Sequence, residues 1–174
     1  MRVELLAPAN DWPNTWRILQ SKGIRSDLCS FLFRMVHQLL PTQARLVRLR
    51  LTNQRVGLCT LCKVDVEDMI HAFFLCPNNN LAGLCILGWI QVVVPDLSEG
   101  DAMQLNFGGA LSGDEKVAVL HTLAIGLKYI WEARLSKKVV TIHQTRSEIE
   151  SNISVFRKAS RHNISLLMEQ MLNN

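Results

Sequence analysis

Cys59, Cys62, His71 and Cys76 set three thiols and one imidazole within 18 positions, in the pattern C-x2-C-x8-H-x4-C. Zinc takes four ligands at tetrahedral corners, and three cysteines with one histidine form one of its closed structural sets. A Cys-x-x-Cys pair can present both sulfurs from one tight turn. His71 and Cys76, five apart, can occupy the last turn of a short helix and the residue just beyond it, and Pro77 would help to end that helix. The competing reading is a buried cysteine pair beside an ordinary core histidine. The register of His71 against three of the five cysteines favours zinc.

The elements that must hold these residues read as helices. Ser26 is a candidate N-cap for a stripe of Leu28, Phe31, Leu32, Met35, Val36, Leu39 and Leu40, closed by Pro41. Thr42 can cap a short second helix with Leu46 and Leu49 inward and Arg45 and Arg48 one turn apart. The knuckle spans 57–77, with 67–75 helical. Leu81, Leu84, Cys85, Gly88, Trp89 and Val92 trace a further stripe, and one helical turn is expected near 98–105. Ser112 and Glu115 form a capping box that opens the most hydrophobic helix, 113–135. The β-branched run 139–142 could extend or break it. A last long helix carries Ile149, Ile153, Phe156, Ser160, Leu167 and Met171, close to a heptad. That spacing could support a dimer, but packing back onto helix 113–135 is the simpler outcome. Ahead of these elements, an irregular lead-in gives way to apolar content at Trp16, Ile18 and Leu19 that stops near Gly23, and Gly108 with Gly109 marks a break.

The expected fold is therefore all-α: a small helical domain anchored by the knuckle (1–107), followed by a long C-terminal helical hairpin packing on it (108–174). No strand pattern is strong enough to build a sheet, and no internal repeat is visible. At 48% hydrophobic residues the 174-residue chain can bury a core, which argues against disorder. No apolar stretch reaches the roughly 18 residues of a membrane span, and the N-terminus lacks the layout of a signal peptide. An odd cysteine count grouped around a histidine suggests a reducing, intracellular compartment; Cys29 and Cys85 fall at apolar helical positions as core residues.

Charge is segregated. From Leu28 to Val64 there is no acid, against six basic residues: Arg34, Arg45, Arg48, Arg50, Arg55 and Lys63. Residues 77–127 carry five acids and only Lys116, and from Lys128 onward basic residues lead eight to four. A basic stretch running into a zinc site is the footprint expected of a surface for RNA or DNA. The bland alternative is a solvated face suited to an acidic protein neighbour.

The knuckle lies in a longer pattern. It follows Leu40-Pro41-Thr42-Gln43-Ala44-Arg45-Leu46, contains Val66-Glu67-Asp68 before His71, and closes with Phe73-Phe74-Leu75-Cys76-Pro77. This run resembles the zinc-binding domain C-terminal to the reverse transcriptase of non-LTR (LINE-type) retrotransposons. Trp89 with Val94-Pro95-Asp96-Leu97-Ser98 resembles the linker of such elements. Lys128-Tyr129-Ile130-Trp131-Glu132-Ala133-Arg134 resembles their YIW-x-x-R helix. The resemblance implies a zinc-binding accessory segment of a retrotransposon polyprotein, or of a gene derived from one. Its metal would sit on Cys59, Cys62, His71 and Cys76, and an upstream reverse transcriptase region would be a partner. Cytoplasmic ribonucleoprotein and nucleus are the implied locations.

No Tyr-x-Asp-Asp polymerase motif is present; Tyr129 is followed by Ile130 and Trp131. Pro95-Asp96 with Asp114-Glu115-Lys116 formally matches a PD…(D/E)xK nuclease signature. That signature normally has its second half on a strand, whereas here it falls in the first turn of a helix, where acids suit the helix dipole. The segment is thus expected to be non-catalytic. His37 reads as a surface residue and His121 as a satisfied core or boundary histidine. His143 and His162 lack partners at ligand spacing.

Overall fold

Leu28, Phe31, Leu32 and Met35 recur at helical spacing and are all buried, which is why Ser26–Val36 forms a helix, α1. The computed structural model describes residues 25–107, 111–158 and 162–173. The expected apolar segment around Trp16, Ile18 and Leu19, the break at Gly108 and Gly109, and Phe156 and Ser160 as stripe residues lie outside what is described. Two expectations for α1 are corrected. Its N-cap is Arg25, and it ends at Val36 rather than at Pro41. Gln38 takes a left-handed φ of 52°, and the Leu39 N–H donates to the Arg34 carbonyl at 2.6 Å, closing the last turn early. The turn carries Leu40 into the core and leaves Leu39 exposed.

The second helix, α2 (Gln43–Arg48), is capped by Thr42, whose hydroxyl accepts from the Arg45 N–H at 3.3 Å. It buries none of its residues fully, and Leu49 points outward rather than inward. What holds α2 is its N-terminus, where the Gln43 N–H donates to the Glu67 carboxylate and the Ala44 N–H to the Glu67 carbonyl.

The helix expected over 67–75 begins at Met69, two residues late, and over 71–75 it widens into a π-helical turn. It leads into α3 (Asn80–Gln91), α4 (Glu99–Gln104, capped by Ser98) and α5 (Gly113–Leu135). The expected capping box of Ser112 and Glu115 opens α5. Every residue from Val117 to Leu127 is buried, so α5 is enclosed on all sides, as a helix with apolar content all round must be. α1, α3 and the π turn pack against it. Buried residues on both sides of position 107 join one hydrophobic core.

The face of α3 turned inward is not the expected one. Ala82, Gly83, Ile86, Leu87, Trp89 and Ile90 are buried, while Leu81, Leu84, Gly88 and Val92 are exposed. α3 is apolar on every side, so periodicity alone does not choose a face; close approach does. A Cβ on Gly83 would stand 2.0 Å from the Phe73 carbonyl oxygen, so α3 lies directly on the π turn only because that position has no side chain. Gly83→Ala will force the two apart and destabilise the fold by about 1–3 kcal/mol. A urea titration will read this as a lower midpoint, and an unchanged midpoint would contradict the packing.

The run 136–141 breaks the chain after α5, with Val140 buried and its N–H donated to the Asn79 side chain at 3.0 Å. The C-terminal hairpin follows, but its return arm is two helices, not one: α6 (Ile142–Lys158) and α7 (His162–Leu172). α6 runs back along α5, bringing Ile149 towards Gly126. α7 folds back on α6, for Arg157 pairs with Glu169 and Arg146 donates to Asn173 at 3.0 Å. Residues 157–163 contain no large apolar side chain, so a straight helix would have nothing to bury there. Folding back sends Ile164, Met168 and Met171 into the core instead. Among the described residues no helix is long and apolar enough to cross a membrane. The chain is all-α, with one isolated bridge, Leu58 to Val66, and no strand among the described residues.

Candidate metal centre

The knuckle is shaped by short-range backbone bonds. Leu58 and Val66 face each other across the bridge, and the Cys59 N–H donates to the Asp65 carbonyl at 2.8 Å. The Lys63 N–H returns to the Cys59 carbonyl at 2.9 Å. Lys63 itself is left-handed at φ 59°, which lets the chain reverse directly after Cys62. Gly57, at φ 62°, lies so close to Ala44 that a Cβ would be 3.0 Å from its backbone.

The π turn aligns the other two ligands. In an α-helix, residues five apart are separated by about 140° around the axis. Here the Cys76 N–H donates to the His71 carbonyl at 2.8 Å, an i to i+5 bond. The wider turn brings Cys76 round over His71. Asp68 starts the turn by accepting from the His71 N–H at 2.7 Å.

The four ligand atoms all lie within 4.8 Å of one another. Cys59 Sγ is 3.8 Å from Cys76 Sγ, and Cys62 Sγ is 3.4 Å from His71 Nε2. Zn–S bonds of about 2.3 Å and a Zn–N bond of about 2.0 Å in a tetrahedron require edges of about 3.8 Å and 3.5 Å. These two separations are those a zinc ion would impose, and the group as a whole is close enough to share one ion. Cys59, Cys76 and His71 are buried and Cys62 is half-buried, as in a closed structural site. All three cysteines are free of disulfides.

Electrostatics suit a cation. Burial pushes the Cys62 thiol up, but hydrogen bonds from the backbone of Asp65 and Val64 and from Cys59 and His71 outweigh it, leaving a pKa of about 7. Burial holds the Cys59 thiol above its ordinary value, with the Cys76 sulfur adding to the effect. A divalent ion removes that conflict by binding the thiolates directly.

Beneath the knuckle lies a buried ion pair that the sequence does not announce. Glu67 is 0% and Arg134 3% exposed, and the two are paired. The Glu67 carboxylate also accepts from the Gln43 N–H at 2.8 Å and the Thr60 N–H at 3.3 Å. One side chain thus joins α2, the Cys-x-x-Cys turn and the end of α5. The Arg134 guanidinium stacks 4.6 Å from the Trp131 ring. Burial pulls it down to about 10, with the Cys59 sulfur acting the other way, so it stays charged near neutrality. The motif residues therefore have separate tasks: Val66 pairs the turn, Glu67 braces it and Asp68 caps the π turn. A signal for Arg134 was present, since it follows Ile130 and Trp131 along the buried side of an apolar helix. Glu67 stood in the motif run Val66-Glu67-Asp68, but nothing in the sequence paired it with Arg134.

The basic residues divide. Arg45 and Arg48 line one opening of about 490 Å³ with Met35, Met69, Ile70 and Met103; Asp68 also borders it, and Arg45 donates to the Gln38 carbonyl. Arg55 and Lys63 line a second opening. Arg34, bonded to the Ser30 carbonyl at 3.2 Å, and Arg50 line neither. Asp96 is exposed in the turn after Pro95, and Asp114 and Lys116 lie in the first turn of α5. Among the described residues, the Cys59–Cys62–His71–Cys76 group is the one cluster of three or more metal-binding side chains. His37 is exposed against Phe33, and His121 is buried with Nδ1 2.8 Å from the Val117 carbonyl. His143 and His162 are exposed.

Residues 4–81 match the family model described as zinc-binding in reverse transcriptase. No curated protein and no solved structure matches the chain. The matched segment contains all four ligands, the α2 cap and the Glu67 brace, and such a domain is an accessory to a polymerase rather than a catalytic unit. Over residues 4–81 the chain is thus similar to the zinc-binding domains of reverse transcriptases, and Cys59, Cys62, His71 and Cys76 are grouped as a set that could hold Zn2+.

Proposed function

We propose that the chain is a non-catalytic module of a non-LTR, LINE-type reverse transcriptase that grips template RNA or target DNA during target-primed synthesis. The observation that carries this is the acid-free basic stretch 28–64 folded around the metal site, with Arg45 and Arg48 side by side on one opening. Phosphate contacts by such residues release counterions, so binding weakens linearly in log salt. Work of this kind takes place first in a cytoplasmic ribonucleoprotein and then in the nucleus, with the polymerase region of the same polyprotein as neighbour.

The test is a titration of RNA and DNA strands and duplexes across a salt series with Arg45→Glu plus Arg48→Glu. Affinity will fall, and the slope of log K against log salt will shrink by about 0.7–0.9 for each lost contact. Unchanged affinity with normal zinc content would refute the proposed surface.

A second reading rests on a different observation. Leu81 and Leu84 of α3, Val92 just past its end and the preceding Leu75 are exposed, 40% or more each, an apolar strip that suits docking to the polymerase or a host protein. A stable protein complex indifferent to Arg45 and Arg48 would favour that role.

A further inference from the structure

Arg55 and Lys63 do not stand alone at the second opening. A third cation, Lys137, reaches it from the far end of α5, and the three border a cavity of about 510 Å³ with Gln54 and Thr60. No Asp or Glu lines it, although the metal ligand Cys59 forms part of its wall, and none of the three cations forms an ion pair among the described residues. In the Arg45–Arg48 opening, by contrast, Asp68 is part of the wall.

Both lysines are held there by structure already described. Lys63 follows the ligand Cys62, so the metal fixes its position. Lys137 lies three residues after Arg134, which is anchored to Glu67, and its N–H donates to the Arg134 carbonyl at 2.9 Å. Cations from distant parts of the chain, Arg55 and Lys63 of the knuckle and Lys137 beyond α5, converge on one recess lined by no Asp or Glu, which suits a ligand with concentrated negative charge. Val56 and Leu58, both exposed on the same lining, offer apolar surface beside it. No aromatic residue is there to stack a base, so the recess suits a backbone rather than a sequence.

We infer that this recess is a phosphate subsite for a nucleic-acid backbone, built by Arg55 and Lys63 of the knuckle and completed by Lys137 beyond α5. The inference rests on the nucleic-acid reading above and extends it to a part of the chain outside the segment 4–81.

The test uses the full zinc-loaded chain and three labelled probes: a mixed-sequence RNA strand, the same sequence as a DNA strand, and the DNA duplex. Affinity is followed by fluorescence anisotropy over a salt series. Lys137→Gln and Lys63→Gln will each weaken binding and reduce the salt slope by about 1. Lys138→Gln, the same charge removed one residue outside the lining, will leave the slope unchanged. Zinc content and thermal midpoint of each variant are compared with wild type. If Lys137→Gln fails to hold zinc, Lys137→Asn, which suits the left-handed backbone there (φ 55°), provides the same readout. Equal losses from Lys137→Gln and Lys138→Gln, or no loss from Lys137 and Lys63 while Arg45 and Arg48 variants still bind poorly, would overturn the subsite alone. Absence of salt-dependent binding by the wild type to all three probes would overturn the functional reading with it. The probe most weakened by Lys137→Gln identifies the strand type that the recess receives.

Discussion

Stripping the metal with a chelator in reducing buffer will open the backbone amides of residues 57–71 to hydrogen exchange while those of α5 stay protected. Apart from the Glu67–Arg134 brace at its base, the knuckle is held by one bridge between Leu58 and Val66 and a few turn bonds, and its side chains at Val64 and Val66 are exposed. A structural zinc site of this kind supplies on the order of 10 kcal/mol, and that is folding energy where no site exists without the ion. α5 is different, with Val117 to Leu127 sealed in the core. Phe73 and Phe74 are also fully buried, so the C-terminal end of the π turn will open later than the Cys59–Cys62 turn. Amides of 57–71 that remain protected after metal removal would show that the ion is not what shapes this segment.

Arg134→Ala will be the most damaging single substitution outside the ligands. It leaves the Glu67 carboxylate, fully buried, with two backbone N–H donors and no counter-charge. Breaking one partner of a buried pair costs about 3–5 kcal/mol, which for a chain of this size lowers Tm by about 6–20 °C. The damage will reach the metal, because Glu67 holds the Thr60 N–H inside the Cys59–Cys62 turn. Replacing both partners together, Glu67→Gln with Arg134→Met, will recover much of the loss, since the cost lies in the stranded charge. A Tm for Arg134→Ala within a degree or two of wild type would mean that the pair is incidental.

The features legible in the sequence were those in which one local rule dominates. The ligand set follows from spacing and donor chemistry, the α5 start from the Ser112–Glu115 box, and the buried face of α1 from its 3- and 4-residue periodicity. Elements failed to read correctly where several answers satisfied the same rule. Every side of α3 is apolar, and its inward face is chosen by Gly83 lying against the Phe73 carbonyl, a tertiary contact. Heptad-like spacing across α6 and α7 concealed that they are two helices packed on each other rather than one. The Glu67–Arg134 pair and the arrival of Lys137 beside Lys63 join distant parts of the chain. No local pattern encodes them, although an arginine on the buried side of α5 was a visible anomaly.

X-ray absorption at the zinc edge, with elemental analysis of the reduced, purified protein, tests the central claim most directly. One zinc per chain, in a shell of three sulfurs at about 2.3 Å and one nitrogen at about 2.0 Å, is the predicted result. Protein that carries no zinc, or zinc surrounded only by oxygen and nitrogen, would contradict it.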